Sequence, residues 1–119
     1  MLNGIVVAMG GAIGAVLRYL IGLLPLNPQN GFPLKTFCIN VIGAFVIGLV
    51  AALSARASLN PRFTLFLKVG ICGGFTTFSS FALETEALLG KGNQTIALLY
   101  VVSSLVCGVL AVAVAENLV

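Results

Sequence analysis

"GGFTTFSSF", residues Gly73–Phe81, places two glycines, four hydroxyls and three phenylalanines spaced three apart in nine positions. The stretch lies inside a long apolar run. Glycine weakens a helix through backbone entropy, and Ser and Thr do so by offering competing hydrogen bonds. The concentration of both in one place predicts a local break in an otherwise continuous span, within Gly73 to Thr76.

Composition sets the solvent for that span. Of the 119 residues, 60% are hydrophobic and 8% charged, and the mean hydropathy is +1.17. Soluble domains carry about 25% charged residues, so water is excluded as the surroundings. The formal charge of +3 comes from scattered residues; no dense basic tract points to nucleic acid. Histidine is absent, which removes the commonest metal ligand and catalytic base. No nucleophile–base constellation speaks for an enzyme. Cys38, Cys72 and Cys107 have neither disulfide-framework nor zinc-site spacing and read as small apolar fillers.

Four spans follow: Gly4–Leu24, Leu34–Ala55, Phe63–Leu89 and Gln94–Ala115. Each reaches the roughly 20 residues that cross a hydrocarbon core. The segments between them, "PLNPQNGFP", "SARASLNP" and "GKGNQ", are rich in the Pro, Gly and Asn of turns. No positive charge precedes the first apolar run, so it reads as a retained span and not as a cleaved signal. The expected fold is one all-α domain, residues 1–119: four transmembrane helices with a break in the third.

Orientation is balanced. In an up-down count Arg18, Lys35 and Lys91 fall to one side and Arg56, Arg62 and Lys68 to the other. The positive-inside rule gives no preference. Either other interactions fix one topology, or the chain inserts both ways and pairs head to tail. So small a bundle has little room for both a pathway and its walls, which favours an oligomer.

Faces are legible within the spans. Gly10, Gly14, Arg18 and Gly22 recur every four residues in the first, with Gly11 and Ala15 alongside, a pattern for close helix packing. Arg18 either snorkels to the headgroups or lines an aqueous vestibule. Thr36, Asn40, Gly43 and Ala44 form one stripe on the second span, and Tyr100, Ser103, Ser104, Cys107 and Gly108 form another on the fourth. A lone Ser or Thr bonds back to its own helix, but the carboxamide of Asn40 needs partners. Together the stripes suggest a polar track. Phe75, Phe78 and Phe81 climb one side of the third span. They are either filler or a lining whose electropositive ring edges face an anion. Broken backbone at membrane depth is tolerated only inside protein or beside water, and it commonly forms ion sites. Freed carbonyls suit a cation; freed amides and hydroxyls suit an anion.

"GGFTTFSSF", with "INVIGAF" and "GGAIGAVLRY", resembles the Fluc (CrcB-type) fluoride channels over essentially the whole chain. The resemblance implies passive fluoride export across a bacterial inner membrane by an antiparallel, dual-topology homodimer with two pathways. It implies a structural sodium ion held by the backbone carbonyls of Gly73 and Thr76. It assigns Asn40, Phe78, Phe81, Tyr100 and Ser104 to the fluoride pathway, with Asn40 giving an amide donor, and Arg18 to a vestibule. Relatives often continue the fourth-helix track with a hydroxyl where this chain has Cys107-Gly108.

Fluoride holds its hydration tightly, and burying even larger ions has an idealised cost of order 20 kcal/mol. Amide, hydroxyl and ring-edge donors would replace part of that shell. Glu84 and Glu86 read first as solvated acids at a helix end and second as contacts at the pathway mouth. Two other functions compete. A small multidrug transporter shares the length and helix count but needs an embedded acid, which the first span lacks. A non-transporting assembly subunit needs packing residues but no aligned polar stripes.

Overall fold

The computed structural model describes residues 1–119 and is entirely helical. Helix α1 spans Leu2–Gly22 and α2 spans Leu34–Ala57. The third crossing is assembled from pieces: α3 (Pro61–Leu65), a π-helical segment (Phe66–Cys72), the single turn α4 (Gly73–Phe75) and α5 (Phe78–Gly90). Helix α6 spans Gln94–Leu118. Four crossings are long and apolar enough to span a membrane, the third running over Pro61–Gly90. The long dimension of 48 Å exceeds the roughly 30 Å of hydrocarbon to be crossed. This is a multi-pass membrane protein.

The turns carry the chemistry expected of them. Gly31 takes φ +90 in the α1–α2 loop, where Asn30 Oδ1 accepts from the N–H of Phe32 at 3.0 Å. Ser58 closes α2 in the left-handed region. Asn60 then caps α3 by accepting from Arg62 N, with Pro61 at the first helical position. Gly92, at φ +78, turns α5 into α6.

Packing divides between two seams. Along α1, glycine brings backbone against backbone. A Cβ on Gly10 would lie 2.6 Å from the Phe66 carbonyl oxygen and 2.9 Å from Gly70 Cα, and one on Gly74 would lie 2.5 Å from the Gly11 oxygen. Gly14 is equally committed, against Ile71 and Phe75. The glycine stripe of the first span is therefore a docking face for the third, as its spacing suggests, except at Gly22, which faces open space. Along the other seam α2 lies on α6, where Gly48 meets Val112 and Ala115. A small cluster of Leu88, Ala97 and Tyr100, flanked by Phe32, Phe37, Phe81 and Ile96, ties α5 to α6. Only 15 of 119 residues are buried, so most of the apolar surface is left for lipid or for another chain.

The break in the third span is present but displaced. Gly73–Phe75 remain helical, and the Thr76 N–H still reaches the Cys72 carbonyl at 3.0 Å. The chain becomes extended at Thr76 (φ −80, ψ 156) and Thr77 (φ −148, ψ 112). The glycines serve contact with α1; the threonines supply the break. Thr77 starts the next helix as its N-cap, accepting from Ser80 N at 3.1 Å. The interruption also divides the phenylalanine stripe: Phe75 is buried, whereas Phe78 is 79% exposed. The three rings do not share one face.

Candidate functional site

Asn40 clamps the break. Its Nδ2 donates to the Thr77 carbonyl at 3.1 Å and its Oδ1 accepts from the Thr77 N–H at 2.8 Å. The carboxamide thus pairs with an extended residue as a neighbouring strand would, and it satisfies backbone groups that the lost helix leaves bare. An amide carries two N–H donors, so one is left for another acceptor.

Three hollows meet at these residues. The first, about 260 Å³, is lined by Asn40, Thr76, Thr77, Phe78, Phe81, Ser104 and Leu105. Four of the five expected pathway residues therefore converge. Phe78 and Phe81 approach with ring centroids 5.9 Å apart. The Ser104 hydroxyl is buried and has no hydrogen-bond partner within the chain. Tyr100 stands behind this hollow, fully buried, with its ring 5.0 Å from that of Phe81. Ser103, from the same stripe, bonds back to the Leu99 carbonyl, and a Cβ on Gly108 would meet nothing. Of the fourth-helix stripe, Ser104 is the residue that reaches the hollow.

The second hollow, about 470 Å³, is a vestibule holding Arg18, Lys35, Thr36, Thr77, Ser80 and Glu84 among its lining. Arg18 lies in this lining, half-buried. Its Nε donates 3.2 Å to the Gly74 carbonyl, one turn before the break. Glu84 corrects the expectation of a solvated acid: Oε2 accepts from Thr36 at 2.8 Å and Oε1 from the Tyr100 hydroxyl at 2.9 Å. The acid therefore links α2, α5 and α6. Sequence reading missed this link and gave Thr77 no role, although Thr77, Ser80, Phe81 and Glu84 stand at i, i+3, i+4 and i+7, one face of a helix. Thr77 lines both hollows.

The third hollow, about 250 Å³, includes Lys68, Cys72, Gly73 and Thr76 beside Asn40 and Gly43. A continuing helix would aim Thr77 N at the Gly73 carbonyl and Ser80 N at the Thr76 carbonyl. Those donors go instead to Asn40 Oδ1 and Thr77 Oγ1. Gly73 and Thr76 thus lose their helical donors while lining the same surface.

Residues 5–115 match the model of the CrcB-like protein family, also described as Camphor Resistance (CrcB). The chain belongs to this family. A relative from Agrobacterium fabrum, named "Fluoride-specific ion channel FluC", is 44% identical over 116 residues, 94% of this chain and 91% of the relative. One from Thermus thermophilus, with the same name, is 48% identical over 105 residues, covering 87% and 84%. A third so named, from Helicobacter acinonychis, is 43% identical over 110 residues, covering 90% and 87%. In this chain the third span is interrupted at Thr76–Thr77, and Asn40, Phe78, Phe81 and Ser104 line one hollow.

Proposed function

We propose that the chain conducts fluoride passively across a membrane, for export, through the hollow lined by Asn40, Phe78, Phe81 and Ser104. The observation that carries this reading is the Ser104 hydroxyl: buried, unpartnered and in the wall of that hollow. Buried polar groups are nearly always hydrogen-bonded, so a hydroxyl left free beside a spare Asn40 N–H is a donor pair awaiting an acceptor. Phenylalanine ring edges add weak positive potential without adding a charge that would trap the ion. The names of the relatives identify the acceptor as fluoride, and this selects among the three functions that the sequence leaves open.

The working unit in this reading is an antiparallel, dual-topology homodimer. The three-against-three charge split supports it, as does Phe78, whose 79% exposure leaves its ring for a second copy to cover. A structural sodium ion fits the carbonyls of Gly73 and Thr76. Hard cations take oxygen ligands, these two oxygens have lost their helical donors, and no cluster of acids, cysteines or histidines competes for a metal. One chain supplies two such oxygens and a second copy would double them. When bound, the ion would supply a fixed positive charge at the junction of the copies. The chain's own residues do the rest: Asn40 holds the break open, and Arg18 holds the Gly74 carbonyl.

Fluoride efflux from liposomes containing the purified protein tests the activity. Fluoride release with chloride retained is the expected result; no fluoride release refutes the channel. Reporter fusions at the C-terminus test the assembly and should register on both sides of the membrane.

A further inference from the structure

The vestibule holds three charged side chains, and each is tied to a neutral partner. Arg18 donates to the Gly74 carbonyl. Glu84 accepts from Thr36 and Tyr100. Lys35 Nζ donates 2.9 Å to the Gly22 carbonyl, at the last residue of α1. Lys35 is also fixed through its backbone, whose N–H donates 3.0 Å to Asn27 Oδ1. The ammonium is therefore held at the wall of the vestibule by the Gly22 carbonyl, and the backbone that carries it is fixed to the loop.

A cation bonded to a neutral carbonyl keeps its field, whereas one paired with a carboxylate largely loses it. Two cations face one carboxylate in this hollow, and a concave wall of low dielectric focuses what remains. Thr77 lines both this hollow and the one that holds Asn40, Phe78 and Ser104. We propose that Lys35 is an anion-capturing residue of the pathway, working with Arg18 to raise the local anion concentration before the ion passes Thr77. The proposal rests on the fluoride-channel reading. Its rival is simpler: Lys35 only caps the carbonyl end of α1, a common role for lysine at a helix C-terminus.

Ionic strength separates the two, because screening removes long-range attraction and leaves a cap intact. Lys35→Gln deletes the charge while keeping an amide donor for Gly22, and Lys35→Arg keeps the charge. Efflux from fluoride-loaded liposomes is measured with ionic strength set by an impermeant organic salt. Wild-type protein that releases no fluoride refutes the channel reading itself. With wild type conducting, Lys35→Gln should release fluoride about three- to tenfold more slowly at ~10 mM ionic strength, where the Debye length is about 30 Å. The gap should close to within about twofold at ~1 M, where that length is about 3 Å. Lys35→Arg should follow wild type at both. A Lys35→Gln variant equal to wild type at low ionic strength overturns the proposal, as does an equal deficit at both. Lys35→Met, which keeps the apolar stem, is the second neutral variant. Failure of both neutral variants to assemble makes Lys35 structural and also overturns it.

Discussion

The two halves of the third span meet at Thr76–Thr77 and use opposite materials. Before the break, the π-helical segment and α4 press bare backbone against α1 through Gly10, Gly14, Gly70 and Gly74. After it, α5 presents side chains to the hollows: Phe78, Ser80, Phe81 and Glu84. One half requires the absence of side chains and the other their presence. The first half anchors the break by fixing its near edge to α1, and α5 is then free to specialise its exposed face. Wide π turns suit such an anchor, since they commonly mark strained or functional places in a helix.

The contrast predicts different failures on the two sides. The largest effect belongs to the packed half. A Cβ on Gly14 would stand 2.7 Å from the Phe75 nitrogen and closer still to the Ile71 carbonyl, both backbone atoms that cannot rotate away. Gly14→Leu should separate α1 from the third span, at a cost of at least about 1–3 kcal/mol for overpacking. We expect loss of assembled protein on gel filtration, with flux lost as a consequence. A Gly14→Leu protein that elutes and conducts like wild type would show that the seam is not the anchor.

Next comes the functional half, where flux and assembly should part. Phe81→Leu and Phe78→Leu keep most of the apolar volume and remove the electropositive ring edge. Flux should fall at least about tenfold, in line with the 1.4 kcal/mol that a factor of ten represents, while the elution volume stays unchanged. Phe75→Leu is the control on the other side of the break. Phe75 is buried on the packed side of the break, its ring facing Gly43 of α2, so its substitution should lower thermal stability and leave flux within about twofold, a modest volume change in a core. Equal flux from all three variants would remove the ring-edge mechanism.

How much of this was legible in the sequence follows from the same contrast. The four spans and the glycine face of α1 rest on periodicity and composition, and residues carry those openly. The grouping of Asn40, Phe78, Phe81 and Ser104 rests on the resemblance to the Fluc (CrcB-type) channels, because periodicity alone leaves the phenylalanines as filler or lining. The position of the break was less legible. Gly73-Gly74 has the lower intrinsic helix propensity, but Gly74 is held helical by contact with Gly11. The extended backbone instead falls where Asn40 can pair with it, 37 residues away in sequence. No local rule sees that partner. Tyr100 shows the same limit: its place on a polar stripe predicts a lining residue, yet its hydroxyl is taken by Glu84 from the neighbouring helix. Glu84 itself looks solvated only when α5 is read without α2 and α6.

The smallest expected effect lies on the break itself, and it asks which part of Thr76 matters. Its Oγ1 donates to the Cys72 carbonyl at 2.9 Å, a bond that stays within the preceding turn. Its methyl covers Gly43, where a Cβ would collide with Thr76 Cγ2. Its carbonyl has lost its helical donor, because Ser80 N bonds to Thr77 Oγ1. Thr76→Ser removes the methyl alone and keeps both the hydroxyl bond and the carbonyl. The methyl's removal should cost about 1 kcal/mol of packing, the range for one buried methylene, with no change in the oxygen presented to the proposed cation. Flux and its dependence on sodium during assembly should therefore stay within about twofold of wild type, since neither the backbone path nor Asn40 is touched. Thr76→Val sharpens the test by keeping the shape and deleting the hydroxyl, and it too should conduct. Loss of flux in the serine variant would assign the role to the methyl's hold on α2, and loss in the valine variant alone would assign it to the hydroxyl. Either result would move the functional part of Thr76 from its backbone to its side chain, and the division between the two halves of the span would then begin one residue earlier.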